Sequence, residues 1–120
     1  MSRAALSVIA FGIYLAFLGP ILVVIPNVFL SVFGIESASE VWIRVVGMLL
    51  FLLAFYYIQA ARHELTVFLR ATVYARASVI VFFTAFVLLG LAEPLLILFG
   101  AIDLAAAVWT ALALRADSRS

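Results

Sequence analysis

The segment LLILFGAIDLAAAVWTALAL, residues 95–114, carries one charged side chain, Asp103, close to its centre. A carboxylate in such a segment can pair with a cation, carry a proton or bind a ligand, and a charge there costs on the order of 3 kcal/mol on insertion scales. Gly100, Ala107 and Thr110 share its helical face at spacings of three, four and seven residues. That face is small and slightly polar, so Asp103 is predicted to point into a helix bundle.

Two arginines are candidate partners for Asp103. Arg76, about 8 residues inside its helix, lies ~10 Å from Asp103 in depth by helix rise and is the favoured partner, while Arg44 would reach inward from the opposite side. Tyr14 and Thr84 could add hydrogen bonds. Two interpretations stay open: a structural ion pair that fixes helix register, or a proton or ligand site.

A second polar patch is predicted from Tyr56, Gln59 and His63, which lie at spacings of three and seven residues on one helix face. It is interpreted as an interfacial hydrogen-bonding face. The chain has one histidine and no cysteine, so we expect no metal site and no disulfide. Phosphate-binding glycine loops and the HExxH and GxSxG motifs are absent from the sequence. No cofactor is therefore predicted, and catalysis is left open but not favoured.

The amino-acid composition indicates whether these residues lie in water or in a lipid bilayer. Of 120 residues, 69% are hydrophobic and 11% are charged, whereas soluble domains are roughly half apolar and a quarter charged. The long apolar runs do not alternate with polar residues as the strands of a membrane barrel would. We predict an all-α, integral membrane four-helix bundle in a single domain, with helices at about 4–25, 41–61, 68–92 and 94–114.

The first of these helices contains Pro20, which is expected to kink it, and Pro26, which is expected to end or bend it again. Residues 27–35 then form a possible interfacial segment on the outer side. Pro94 is expected to start the fourth helix after a very short turn. A cleaved signal peptide is the competing interpretation of the N-terminus, but its apolar region would be only 7 to 15 residues long, roughly half of what is present.

Charge placement predicts the orientation. If the chain crosses the membrane four times, Arg44 lies on one side of it. The arginines on or near the other side are Arg3, Arg62, Arg70, Arg76, Arg115 and Arg119. The positive-inside rule then places both termini in the cytoplasm. The net charge of +1 does not indicate nucleic acid as a partner.

The patterns WIRVVGMLLFLLAFYYIQAAR, FLRATVYAR and LFGAIDLAAAVWTALALR resemble small four-helix bacterial membrane proteins of the DoxX-like and BphX-like kind. The resemblance covers about two-thirds of the chain. It implies a compact bundle in a bacterial cytoplasmic membrane, sometimes associated with redox or degradative gene systems, and it supplies no catalytic residue.

Three functions are compatible with these features. The first expectation is an accessory or structural protein that binds a partner membrane protein, another copy of itself or lipid, with no water path to Asp103. The alternative is a small oligomeric proton-coupled transporter or channel that uses Asp103. The third is an enzyme or a quinone- or lipid-handling protein, which would use Asp103 with Tyr14 or the second polar patch and requires a cavity of roughly 300 Å³ or more.

Overall fold

The computed structural model describes residues 1–32, 34 and 41–118. All of their regular structure is helical, in five helices: α1 Arg3–Val24, α2 Pro26–Val32, α3 Trp42–Arg62, α4 Thr66–Leu88 and α5 Leu96–Ser118. Every helix except α2 is long and apolar enough to cross a membrane. The predicted all-helical class and the four candidate spans are confirmed. Arg119 and, within the predicted segment 27–35, residues 33 and 35 lie outside the described residues.

The break between α1 and α2 follows from proline chemistry. Pro20 lies within α1, and the helix ends at Val24, two residues before Pro26. Proline cannot donate a backbone hydrogen bond, so helical carbonyls near the break lose their usual partners. The guanidinium of Arg44 donates a hydrogen bond to the carbonyl oxygen of Val23. Arg44 therefore stabilises the end of α1.

Helix α1 is the central helix, and its tightest contact is with α3. Gly19 and Gly47 face each other so closely that a Cβ built on Gly47 would lie 2.5 Å from the carbonyl oxygen of Gly19. Because lipid tails are as apolar as the side chains, helices in a bilayer associate through close packing, which glycines permit. This glycine pair fixes where α1 crosses α3.

The long helices form an open arrangement and do not close a ring. In spatial order they lie α3, α1, α5, α4: α1 packs along both α3 and α5, and α4 packs along α5. Helices α3 and α4 are consecutive in the chain but hardly touch. A cleft therefore separates α3 from α4, where a compact bundle would have had a helix contact.

One end of the molecule gathers the N-terminus, the α3–α4 turn and the end of α5. The backbone N–H of Ser2 donates to Glu64 Oε1 (2.7 Å), and those of Arg3 and Ala4 donate to the two carboxylate oxygens of Asp117 (3.2 and 3.0 Å). Carboxylates are favourable at the N-terminus of a helix. The hydrogen bonds of the Ser2 hydroxyl and backbone hold the pKa of Glu64 below its ordinary value. We refer to this end as the N-terminal end.

Helices α3 and α4 both end in the same kind of hydrogen-bonded turn, a Schellman motif. In each Schellman motif one residue adopts the left-handed conformation: Glu64 (φ 54°) after α3 and Gly90 (φ 75°) after α4. The motif at Gly90 ends α4 at Leu88, and α5 begins only at Leu96, so this connection is longer than the sequence indicates. Since a non-glycine residue adopts this conformation reluctantly, the turn at Glu64 carries no sequence signal.

Candidate functional site

Arg76 is the largest fully buried side chain among the described residues, with 2% of its surface exposed. Its Nε donates to the carbonyl oxygen of Thr72 (3.2 Å), and its Nη2 donates to the hydroxyls of Thr72 (3.1 Å) and Thr110 (2.8 Å). Helical side chains point back toward the N-terminus of their helix. The guanidinium therefore lies one turn back along α4 and is held by two threonines.

Proton counting fixes the direction of the hydrogen bonds in this cluster. A guanidinium only donates, so Thr110 accepts from Arg76 and uses its own proton toward Ser7, whose Oγ lies 2.6 Å away. Ser7 in turn donates to the carbonyl oxygen of Ala4 (2.7 Å). Thr72 likewise accepts from Arg76 and donates to the carbonyl oxygen of Leu69 (2.7 Å). Each hydroxyl thus has one defined acceptor.

The second terminal nitrogen of Arg76, Nη1, is buried and has no hydrogen-bond partner. The guanidinium carbon lies 4.9 Å from the centroid of the Phe11 ring, a cation–π contact that covers one face of the group. Buried donors without a partner are uncommon in folded proteins and call for an explanation. Nη1 is the one donor nitrogen of this cluster with spare hydrogen-bonding capacity.

Asp103 lies on α5, seven residues before Thr110, and is half-buried. Within the described part of the chain it makes no hydrogen bond and no ion pair. Because the guanidinium of Arg76 is anchored at Thr110, the two charges are separated by ~10 Å of helix rise, two turns of α5. The structure therefore brings Arg76 and Asp103 to the same side of α5 but pairs Arg76 with threonines.

Two partly open cavities meet at Asp103. The first, the lateral cavity, has a volume of about 390 Å³, lies between α3 and α4, and has both Arg76 and Asp103 in its wall. The second, the outer cavity, has a volume of about 230 Å³ and extends toward α2 and the start of α5. The residues common to both walls are Leu15, Leu50, Phe83 and Asp103.

The other predicted site residues fall in different places. Tyr14 lies in the wall of the outer cavity together with Asp103. Thr84 is half-buried, lines neither cavity and makes no hydrogen bond within the described residues. Arg44 lies at the opposite end from the N-terminal end, on the carbonyl oxygen of Val23. The structure brings Tyr14 and Arg76 to the cavities around Asp103 and leaves Arg44 and Thr84 apart from them.

The predicted second patch is not assembled by contacts within the described residues. Tyr56 is 60% exposed and its ring packs on that of Phe55, Gln59 is half-buried, and His63 is exposed at the α3–α4 turn. The adjacent Tyr57 is buried, with its ring centroid 5.9 Å from that of Phe11 and 5.8 Å from that of Phe68. Tyr57 also lines the lateral cavity.

Sequence reasoning missed Ser7, Thr72, Phe11 and Tyr57 as members of the site. The spacing of Thr72, four residues before Arg76, is a signal that could have been used, because a helical arginine reaches back to that position. Ser7 carried no such signal, since its contact with Thr110 depends on how α1 crosses α5.

Within the described ranges, no group of three or more His, Asp and Glu side chains is placed to hold a metal ion. Searches against family models, curated proteins and solved structures found no match to the chain. Fold and site define a class: an all-helical chain with four candidate membrane spans, as in a multi-pass membrane protein. One of its cavities has apolar walls that include a buried arginine and an aspartate.

Asp103→Asn is expected to stabilise the fold, raising the free energy of unfolding by about 1 kcal/mol, because a half-buried carboxylate without a partner is replaced by a neutral group of the same shape. Reversible unfolding in mixed detergent, followed by circular dichroism, measures the change. A loss of stability would show that the carboxylate has a stabilising partner in the folded protein.

Proposed function

We propose that this protein binds an apolar molecule taken from the bilayer, in the cavities around Asp103, and so is a quinone- or lipid-handling membrane protein. The observation that carries the proposal is the lateral cavity of about 390 Å³, with apolar walls, a cleft between α3 and α4 beside it, and Arg76 and Asp103 as its charged residues. Ligand pockets typically combine such apolar walls with a few polar groups.

The same observation favours this function over the accessory one. A protein that only contacts partner helices needs a packed interior, and empty space beside two charged side chains reduces its stability. Here α3 and α4 diverge at the level of Arg76 and leave space beside both charges. A cavity that persists at such a cost is better explained by a ligand.

Transport through the protein is less well supported than binding. Toward the N-terminal end the interior is filled by the cluster of Ser7, Thr110 and Arg76, together with buried Ala5 and Leu69. The lateral cavity is lined by α3 and α4, and the outer cavity is lined in part by α2 and the start of α5. This arrangement supports a binding site with access from the bilayer.

The proposal includes a location. The N-terminal end carries Arg3, Arg62, Arg70 and Arg115, whereas Arg44 lies at the other end. By the positive-inside rule we place the N-terminal end, with both termini, in the cytoplasm of a bacterial cell, and the helices in its cytoplasmic membrane. Membership of the DoxX-like and BphX-like group is part of the same proposal and agrees with four candidate spans.

Photolabelling with an apolar aryl diazirine tests the binding function. In nanodiscs of phosphatidylcholine, we expect adducts on Leu50 and Phe83, which line both cavities. Val79→Trp fills the lateral cavity and should reduce these adducts at least about fivefold. Val81→Trp is the matched control, because Val81 is on the same helix and 67% exposed, so the adducts should persist.

The result that would overturn the binding function is labelling restricted to exposed side chains, with no adducts on Leu50 or Phe83. Equal loss of the two adducts in Val79→Trp and Val81→Trp would also contradict it, because the adducts would then not depend on the cavity. Circular dichroism of both variants confirms that they retain the helical fold.

A further inference from the structure

We infer that the molecule bound in the lateral cavity is a fatty acid, with its carboxylate on Arg76 and its chain extending through the cleft between α3 and α4. This inference rests on the proposed binding function and specifies its ligand.

The first step is the charge of Arg76. The Arg76 residue is only 2% exposed, and the hydrogen-bonding partners of its guanidinium are neutral: a backbone carbonyl and two threonine hydroxyls. No carboxylate lies within ion-pair distance of it in the part of the chain that the structure describes. A buried cation without an anion is costly, and an arriving anion removes that cost.

The second step is the spare donor. Nε and Nη2 are used by Thr72 and Thr110, whereas Nη1 is buried and has no partner. Arg76 also belongs to the wall of the lateral cavity. A ligand oxygen at that wall gives Nη1 the hydrogen bond it lacks, and an anionic acceptor makes it roughly twice as strong as a neutral one.

The third step is the shape and polarity of the cavity. Apart from Arg76, Asp103 and Tyr57, its wall is apolar, formed by side chains such as Leu53, Val79 and Phe82. Because α3 and α4 hardly touch, an alkyl chain can leave the cavity between them and remain in lipid. The chain is in an apolar environment both in the bilayer and in the cleft, so the head group decides the preference for this site.

The fourth step is the orientation of the bound fatty acid in the lateral cavity. Asp103 stands two turns along α5 from the anchored guanidinium, ~10 Å away, in the walls of both cavities. A ligand carboxylate is repelled by Asp103 and attracted by Arg76. The head group therefore lies at the Arg76 end of the cavity, and the alkyl chain runs toward Asp103 and the cleft.

A carboxylate suits this position better than a phosphate. It carries one negative charge, which matches the single charge of Arg76, whereas a phosphate monoester carries about 1.5 to 2. The surplus charge would lie in an apolar cavity with no second cation in its wall.

Competition against the diazirine label tests the inference. At alkaline pH in phosphatidylcholine nanodiscs, dodecanoate should suppress the Leu50 and Phe83 adducts at a membrane concentration at least about tenfold lower than dodecanol or dodecyl phosphate. Arg76→Met, which keeps most of the length of the side chain without the charge, should remove this preference. Arg70→Met is the control: Arg70 is exposed on the same helix, and the preference should remain.

Equal competition by dodecanoate and dodecanol in the unmodified protein would overturn the fatty-acid inference and leave the binding function standing. Stronger competition by dodecyl phosphate would overturn the choice of a carboxylate. Absence of the Leu50 and Phe83 adducts overturns the binding function itself and the inference with it. Because these comparisons use the unmodified protein, they do not depend on whether Arg76→Met folds.

Discussion

Gly47→Ala is expected to lower the free energy of unfolding by about 3 kcal/mol, the upper end of the usual cost of overpacking. The new methyl group would lie 2.5 Å from the carbonyl oxygen of Gly19 and 2.9 Å from the backbone nitrogen of Val23. Backbone atoms cannot move aside by changing rotamer, so α1 and α3 must separate along their whole contact. Reversible unfolding in mixed detergent, followed by circular dichroism, measures the loss.

Gly12→Ala is the matched control on the other partner of the same helix pair. A methyl group there would meet Ile58 Cγ1 at 2.9 Å, which belongs to a side chain that can rotate away. We expect a change below about 1 kcal/mol, because alanine also favours a helix by about that amount over glycine. Equal losses at Gly12 and Gly47 would contradict the backbone contact as the determinant of the crossing.

The helices could be predicted from the sequence because each apolar run is long enough to span a bilayer, and hydropathy depends on composition alone. The ends of the helices were harder to predict from the sequence. The end of α3 depends on Glu64 in a left-handed conformation, stabilised by a hydrogen bond from Ser2, which is distant in the sequence. No local turn pattern reports such a contact, and Gly90 similarly ends α4 earlier than hydropathy indicates.

The candidate site was only partly predictable, and Arg76 shows why. Its depth in α4 follows from helix rise, so its burial near Asp103 could be anticipated. The choice between Asp103 and Thr110 as its partner depends on whether the guanidinium points along or against the helix, which is a rotamer question. The cavity depends on α3 and α4 diverging after a short turn, and this follows from the packing of both on other helices.

The polar cluster and the lateral cavity are parts of one arrangement. The threonines hold Nε and Nη2 of Arg76, and this fixes the plane of the guanidinium while Nη1 stays unpaired. A donor held in place before a ligand arrives loses little freedom on binding, which increases affinity. The hydroxyls of Thr72 and Thr110 are therefore positioning groups for Arg76, and their loss should affect stability first.

Thr110→Val is expected to lower the free energy of unfolding by about 2 kcal/mol, since hydrogen bonds to charged groups contribute roughly 1.5–3 kcal/mol. Valine has the same shape but can neither accept from Arg76 Nη2 nor donate to Ser7, contacts of 2.8 and 2.6 Å at a fully buried position. Arg76 keeps Thr72, so the cluster is weakened and not abolished. Unfolding in mixed detergent measures the difference.

Two comparisons distinguish the hydrogen bonds of Thr110 from a general effect of the substitution. Thr84→Val makes the same change at a half-buried position where the side chain makes no hydrogen bond within the described residues. We expect it to lower the free energy of unfolding by less than about 0.5 kcal/mol. Ser7→Ala combined with Thr110→Val should cost less than the sum of the two single changes, because both remove the same hydrogen bond. Equal losses for Thr84→Val and Thr110→Val, or strict additivity with Ser7→Ala, would show that the hydroxyl chain does not hold Arg76 in place.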